Sequence, residues 1–246
     1  MDKAMYIGMT GASQAMQAQT VQANNLANAS TTGFRADLMQ ATFEEVQGAT
    51  LNSRVYNRLL QNGTDFTSGP MVQTGNELDI AVAGEGFIAV LAPDGGEAYT
   101  RAGDFQINAF GELLTGNGLP VLGNGGPIAI PPNQKIEIGS DGTISVLEQG
   151  QGAEAITAFD RIKLVNPALT ELVKGEDGLV RRTDGADALV DADVRVQSGF
   201  LEGSNVNVVD TMVDMISLTR NYELNVKLIQ SVEENSEVSA RLLQVR

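Results

Sequence analysis

Both ends of the chain carry small and apolar residues at heptad spacing, and this pattern constrains the fold more than any other feature. The N-terminal seam consists of Met5, Met9, Ala12, Met16, Gln19, Ala23 and Leu26. The C-terminal seam consists of Val208, Met212, Met215, Thr219, Tyr222, Val226 and Ile229. Such spacing keeps one stripe of a helix facing a partner helix. We therefore predict terminal helices over residues 4–28 and 208–243 that pair with each other.

Between the seams the periodicity of the apolar residues changes to two, which is typical of β-strands. The strand candidates are residues 78–82, 87–91, 128–130, 136–138, 144–147, 162–165 and 194–196. Turn-forming residues separate them, and Asp141-Gly142 between two of the candidates is a good hairpin signal. Because no helix-length segment interrupts this region, the predicted sheet is mainly antiparallel.

The predicted fold class is α+β, with N- and C-terminal helices forming a coiled-coil-like stem and a central, mainly antiparallel β domain. Four segments follow: residues 1–35 (first helix and its terminating loop), 36–73 (connecting segment), 74–198 (β domain) and 199–246 (last helix). The pattern in the connecting segment is weak, and Leu38, Phe43 and Val46 could extend a helix. The last helix would be about 54 Å long, which exceeds the ~30 Å width of a small domain. It would overhang its own body, so its seam needs another surface.

Composition removes several classes of function. The 246 residues include no Cys and no His, so disulfides, thiolate nucleophiles and the usual transition-metal ligands are absent. A formal net charge of −15 disfavours nucleic acid and anionic lipid as partners. Glutamine and asparagine interrupt every apolar run of the first helix well below the ~18 residues that a spanning helix needs. We therefore predict neither nucleic-acid binding nor membrane insertion.

Two motifs imitate ligand sites. Residues 84–89 match the G-x-G-x-x-A dinucleotide pattern, but the chain continues as a strand and Glu85 would face phosphate, so we interpret the segment as a turn. Four aspartates do not fit calcium-loop spacing and are interpreted as a solvated acidic stretch: Asp184, Asp187, Asp191 and Asp193. We predict no catalytic residue, no metal and no cofactor. An unrecognised hydrolase and a monomeric adhesion or binding module are the alternatives from other classes.

Three separate motifs resemble those of a known family. The first is Ala-Asn-Asn-Leu-Ala-Asn at 23–28, followed by Thr-Gly-Phe-Arg at 32–35. The second comprises residues 74–79, 84–87, 99–101 and 103–105, and the third comprises residues 199–207, 212–216 and 220–223. In this order they are similar to the signatures of bacterial flagellar rod, hook and hook-associated axial proteins. The sequences of residues 1–6, 202–205 and 231–235 most resemble those of proximal-rod subunits. A distal-rod or hook-family subunit is the alternative.

This resemblance implies a structural subunit that assembles through its terminal helices into a tubular drive shaft, which transmits torque and encloses an export channel. The helices would line the tube, and the β domains would face outward. The implied partners are proximal and distal rod subunits, copies of the chain itself and the flagellar type III export apparatus. The implied location is the periplasmic rod of the basal body, reached without cleavage of a signal peptide.

We predict an assembly interface that combines the two seams with the loop after the first helix. Its residues are Met5, Met9, Ala12, Met16, Ala23, Asn24, Asn25, Leu26, Asn28, Gly33, Phe34, Val208, Met212, Met215, Tyr222, Val226 and Ile229. Methionine packs adaptably, and an uncharged helix face avoids burying unpaired charge. The asparagine amides could cross-link helices by hydrogen bonds. Solvation of the helix end is the alternative for these asparagines.

Overall fold

The computed structural model of the chain describes residues 2–45, 55–148 and 156–244. The chain divides into two compact units. The helical unit comprises Met1–Ala29, Ala36–Asp65 and Val206–Arg246, and the β body comprises Ser30–Arg35 and Phe66–Asn205. The four segments delimited from the sequence stay a prediction.

The helical unit contains helices α1 (Asp2–Ala27) and α2 (Val208–Gln244) and strands β1 (Asp37–Glu45) and β2 (Val55–Thr64). The two terminal helices confirm the prediction from the seams. Asn207 caps α2, because its Oδ1 accepts a hydrogen bond from the backbone N–H of Val209 at 3.0 Å. Asp210 adds negative charge to the first turn, where the helix dipole favours it. Neither helix, over its described residues, is long and apolar enough to cross a membrane.

The connecting segment differs from the prediction, because Leu38 and Phe43 belong to strand β1 and do not extend a helix. Val46 lies outside the described residues. Strand β1 pairs antiparallel with β2 from Asp37 opposite Thr64 to Glu45 opposite Val55. Short apolar runs do not distinguish a helix from a strand, and the partner strand decides between them.

Over its described residues, 30–35, 66–148 and 156–205, the β body contains sixteen short strands and one 3-10 turn (Leu169–Glu171). The strands are β3 (Met71–Gln73), β4 (Ile80–Ala83), β5 (Phe87–Leu91), β6 (Glu97–Thr100), β7 (Phe105–Ile107), β8 (Leu113–Thr115), β9 (Leu122–Gly123), β10 (Gly126–Pro127), β11 (Asn133–Ile138), β12 (Thr143–Glu148), β13 (Thr157–Arg161), β14 (Leu164–Val165), β15 (Leu172–Lys174), β16 (Val180–Arg182), β17 (Arg195–Ser198) and β18 (Phe200–Glu202). The largest sheet has the order β14-β5-β6-β16-β15, and a second has the order β11-β12-β13. Each strand pairing described is antiparallel, which confirms a mainly antiparallel body.

Most predicted strands are present: residues 87–91 form β5 as predicted, and the others have shifted ends. Residues 128–130 form no named strand, and Ala129 makes a single bridge to Glu112. The Asp141-Gly142 turn joins β11 to β12, as its sequence predicts. Residues 84–86 form the turn between β4 and β5, so no helix follows the dinucleotide-like motif. In the described part of the chain, no three His, Cys, Asp or Glu side chains are grouped so as to hold a metal ion.

The core of the β body is mainly aliphatic. Its largest cluster includes buried side chains from β4, β5, β7, β8, β12 and β14: Ile80, Val82, Ile88, Phe105, Leu113, Ile144, Val146 and Leu164. Tyr99 belongs to a second cluster, and its hydroxyl oxygen accepts a hydrogen bond from the N–H of Ala188 at 2.8 Å. Burial raises the pKa of Tyr99 to about 12. Exposed and buried residues alternate along residues 135–138 of β11, whereas β4 and β5 are buried at three or four consecutive residues, as expected for strands covered on both faces.

Candidate assembly surfaces

Helices α1 and α2 pack against each other in antiparallel orientation. Ile229 lies against Gly8, and Asn225 lies against Gly11. Further along, Gln19 Nε2 donates a hydrogen bond to Thr219 Oγ1 at 3.4 Å. Later residues of α1 therefore contact earlier residues of α2, as expected for two antiparallel helices. The pairing of the first helix with the last follows from these contacts.

Small residues of α1 allow this contact to be close. A Cβ atom at Gly8 would lie 2.9 Å from Cγ1 of Ile229, and one at Gly11 would lie 2.7 Å from Oδ1 of Asn225. Ala15, one heptad after Gly8, is buried. We call Gly8, Gly11 and Ala15 the inner stripe of α1. Because these residues lack long side chains, the two helices approach more closely than facing methionines would allow.

The inner stripe is displaced by one residue from the N-terminal seam. Met9 and Met16 are 53% and 61% exposed, although each follows directly after an inner-stripe residue. Ala23 is also exposed, whereas Met5, Ala12 and Leu26 are half-buried. The seam is thus divided between the helix contact and solvent. Two adjacent stripes of α1 share the same heptad spacing, and side-chain size decides which of them faces α2.

The solvent-facing side of α1 forms a continuous stripe without charge. Its residues, all exposed and three or four positions apart, are Tyr6, Met9, Ser13, Met16, Thr20, Ala23 and Ala27. We call them the outer stripe of α1. The hydroxyl of Thr20 donates to the carbonyl oxygen of Met16 at 3.0 Å, so this polar group is satisfied within its own helix. The stripe therefore offers apolar contact area in which few polar groups need a hydrogen-bond partner from a neighbouring molecule.

Helix α2 also exposes large apolar side chains. Its outer stripe consists of Val209, Met212, Val213, Ile216, Leu224 and Leu228. In the C-terminal seam, Val208, Met212 and Tyr222 are exposed, whereas Met215, Val226 and Ile229 are half-buried. More than half of the large apolar side chains that are exposed in the described part of the chain lie on α1 and α2. Exposed apolar surface of this extent is typical of an interaction site.

The asparagines near the end of α1 bond within the helical unit. Asn25 is buried, and its Nδ2 donates to the carbonyl oxygen of Asp37 at 2.8 Å. The N–H of Asp37 donates back to Asn25 Oδ1 at 2.9 Å, so this amide fixes the start of β1 to α1. Asn28 Nδ2 donates to the carbonyl oxygen of Asn24 at 3.0 Å, at the helix end. Cross-linking of helices from different subunits by these amides stays a prediction.

Gly33 and Phe34 lie in the β body. Gly33 has φ +69°, and a Cβ atom there would lie 2.3 Å from the backbone nitrogen of Ala102. Its own N–H donates to the carbonyl oxygen of Glu202 at 2.8 Å. Lys174 Nζ lies 3.9 Å from the centre of the Phe34 ring and donates to the carbonyl oxygen of Arg35 at 2.7 Å. These contacts within one chain fix the loop after α1, and an assembly role for the two residues stays a prediction.

Sequence reasoning missed a buried ionic network centred on Glu202, whose side chain is fully buried. Its Oε1 accepts hydrogen bonds from Arg35 Nη2 at 2.6 Å and from the N–H of Gly69 at 3.0 Å. Its Oε2 accepts from Arg101 Nη1 at 2.9 Å. Arg101 Nη2 donates in turn to the carbonyl oxygen of Gly84 at 2.7 Å. One carboxylate therefore connects three distant parts of the chain.

The electrostatics of this network depend on the single carboxylate. Burial is the main cause that lowers the pKa of Arg101, and nearby Arg35 lowers it further, while Glu202 opposes both effects. The Arg101 guanidinium also lies 5.3 Å from the centre of the Phe87 ring, a favourable cation–π position. The available signal was that Arg35, Arg101 and Glu202 each fall in one of the three family motifs. A single sequence does not reveal that these motifs meet.

Comparison with known families gives three consecutive matches. Residues 5–35 match the family described as flagella basal body rod protein. Residues 81–146 match the D1 domain of flagellar hook protein FlgE/F/G. Residues 197–242 match the C-terminal region of flagellar basal body rod FlgEFG protein. The matches thus cover α1 with its loop, much of the β body, and α2.

Relatives align along the full chain. The chain is 42% identical to flagellar basal-body rod protein FlgF of Escherichia coli over 100% of both chains. It is 37% identical to FlgF of Caulobacter vibrioides over 96% of both chains. It is 34% identical to flagellar basal-body rod protein FlgG of Buchnera aphidicola, over 94% of this chain and 95% of the relative. On these motifs, matches and full-length alignments, the chain belongs to the FlgF family of flagellar basal-body rod proteins.

Proposed function

We propose that the protein is a structural subunit of the flagellar basal-body rod, in its proximal part, and that it assembles through the outer stripes of α1 and α2. The single observation that carries this proposal is the continuous, exposed and uncharged outer stripe of α1. Full-length relatives that are named as rod proteins support it. The neighbours are copies of this chain and other rod subunits.

The antiparallel contact between α1 and α2 supports a stem of coiled-coil-like character. The inner stripe joins the two helices of one chain, which leaves both outer stripes available for helices of neighbouring chains. In the rod, stems would line the tube and β bodies would face outward. Helices joined on several sides do not slide past one another easily, so the tube resists twisting, as transmission of torque requires. The tube would also enclose the channel through which later subunits pass.

Charge and burial together favour the outer stripe of α1 as the contact. The formal net charge of −15 makes subunits repel one another, so association requires surfaces without further acidic residues. The residues of this outer stripe carry no charge. Full burial of one methionine or valine contributes about 1.5–3 kcal/mol. A few such side chains per neighbour therefore offset the cost of bringing acidic subunits together.

We propose a periplasmic location in the rod, reached through the flagellar type III export apparatus without cleavage of a signal peptide. The family supports this location. The absence of Cys and His supports a purely structural role, because it removes the commonest nucleophiles, general bases and metal ligands. We propose neither a catalytic activity nor a cofactor.

The test places one charge in the outer stripe. Met16→Asp should abolish assembly and motility while the β body stays folded, because Met16 is 61% exposed on the helical unit and belongs to the proposed contact. Leu189→Asp is the matched control: it is the same kind of change at an exposed apolar residue of the β body, and it should leave assembly intact. Sedimentation of the purified chain and complementation of a strain that lacks it are the readouts. Normal assembly of Met16→Asp would refute the proposed interface.

Labelling the subunit in isolated basal bodies tests its position in the rod. Electron microscopy should place the label in the proximal rod. A label in the distal rod or hook would support the alternative, a distal-rod or hook-family subunit. A purified chain that remains monodisperse at high concentration, alone and with other rod subunits, would favour a monomeric binding module.

A further inference from the structure

Three exposed methionines lie on the outer stripes of the two helices, and other methionines of the chain do not. Met9 and Met16 lie one heptad apart on the outer stripe of α1, and Met212 lies on the outer stripe of α2 at 49% exposure. In contrast, Met215 is half-buried on α2. Met71 is 44% exposed but belongs to strand β3 of the β body. The chain therefore carries methionines of similar solvent exposure both on its outer stripes and elsewhere, in the β body.

We propose that Met9, Met16 and Met212 are oxidation sites that switch off assembly of the free subunit. This inference rests on the proposed function, because it assigns a chemical control to the same surfaces. Solvent access governs the oxidation of methionine, and these three thioethers are accessible before assembly. Once a neighbouring helix covers them, they become protected. The switch therefore acts on unassembled chains and spares finished polymer.

The reaction needs a two-electron oxidant of the peroxide class. One oxygen atom passes from hydrogen peroxide to the thioether sulfur: the O–O bond breaks, an S–O bond forms, and water leaves as the reduced product. The sulfur becomes a sulfoxide, which is polar and chiral, and methionine sulfoxide reductases reverse the change. No covalent link to the protein is broken. Oxidation therefore changes surface chemistry without removing a residue.

Oxidation opposes assembly because of where the sulfoxides lie. Among the large apolar residues of the α1 outer stripe, Tyr6, Met9 and Met16, two are methionines. A sulfoxide at either position would have to be desolvated by a neighbouring helix that offers it apolar surface. Burial of an unsatisfied polar oxygen is unfavourable. The inner stripe contains no methionine, so the contact between α1 and α2 of one chain should survive.

The test compares the wild-type chain with Met9→Leu/Met16→Leu/Met212→Leu and with Met71→Leu as control. Leucine retains apolar volume and does not form a sulfoxide. Each protein is treated with hydrogen peroxide in dilute solution, quenched, mapped by mass spectrometry and tested for association by sedimentation. Oxidation should raise the concentration needed for association about tenfold or more in the wild type and in Met71→Leu. This factor corresponds to the free energy of burying one large apolar side chain. The triple variant should change little.

The associated protein provides a second measurement. Peroxide should oxidise Met71 in free and associated chains alike, whereas Met9, Met16 and Met212 should react only in free chains. If oxidised wild-type chains associate like untreated ones, or the triple variant is equally inhibited, the switch is refuted while the proposed function stands. If untreated chains fail to associate with themselves and with other rod subunits, the proposed function fails and the switch with it.

Discussion

Replacing Glu202 with Gln should be among the most damaging single changes in the β body. Glutamine has nearly the same shape, so the variant removes a negative charge without leaving a large cavity. The side chains of Arg35 and Arg101 are 3% and 4% exposed, and solvent does not compensate the loss. Two buried guanidinium groups would then face each other with no counter-charge. The mutation therefore isolates the electrostatic role of the carboxylate.

The expected magnitude follows from the cost of an uncompensated buried charge. Removing one partner of a buried ion pair typically costs about 3–5 kcal/mol. In the wild type, Glu202 also accepts a hydrogen bond from the N–H of Gly69, and the amide group replaces this charged acceptor with a neutral one. Total stabilities of small domains are about 5–15 kcal/mol. The change should therefore remove a large fraction of the stability of the β body.

The assay is urea unfolding of the full chain, followed by near-ultraviolet circular dichroism, which reports the fixed environment of buried Tyr99. Glu137→Gln is the matched control, because Glu137 pairs at 2.6 Å with Lys135 and both side chains are half-exposed. A surface pair of this kind contributes about 0–1 kcal/mol. If Glu202→Gln is no more destabilising than Glu137→Gln, the network does not hold the three motifs together.

Three further predictions concern single contacts. Gly33→Ala should destabilise the β body by at least about 1–2 kcal/mol in urea unfolding, since the backbone at Gly33 is left-handed, which a residue with a Cβ disfavours, and the Cβ would also clash with the backbone of Ala102; an unchanged midpoint would contradict this. Burial raises the folded-state pKa of Tyr99 above its ordinary 10.0 to about 12. The stabilisation by its neutral hydroxyl is therefore present below pH 10 and is lost as the pH rises towards 12. Tyr99→Phe should flatten that alkaline decline in pH-dependent unfolding, and an unaltered slope would assign the decline to other groups. Gly8→Leu should lower the melting temperature of the helical signal through overpacking of about 1–3 kcal/mol against Ile229, whereas Ser13→Leu on the outer stripe should not.

The sequence predicted the parts of the fold that depend on local periodicity. Heptad spacing located both terminal helices, and turn chemistry at Asp141-Gly142 located a hairpin. Spacing alone did not identify the helix face, because Gly8 and Met9 begin parallel stripes with the same period. Close approach favours glycine on the inner face, and this preference depends on the partner helix. The prediction from periodicity was therefore right about the helices but incomplete about their faces.

Long-range contacts explain the remaining differences. Leu38 and Phe43 belong to a strand because residues 55–64 pair with that segment. The sequence pattern around them does not indicate this partner. Glu202 meets Arg35 and Arg101 across 167 and 101 positions of the chain. Each of these residues lies in one of the three family motifs, but nothing within a motif indicates which other motif it contacts. A buried ionic network forms between residues that the fold brings together, and no short segment of one sequence shows which distant residues will meet.

The most direct test of the account is an electron cryomicroscopy reconstruction of the rod in which this subunit is resolved at side-chain level. If the outer stripes form the assembly contact, Met16 of α1 and Val213 of α2 are covered by helices of neighbouring subunits, while Gly8 still contacts Ile229 of its own chain. A rod in which both outer stripes face solvent, and only β bodies touch their neighbours, would contradict it.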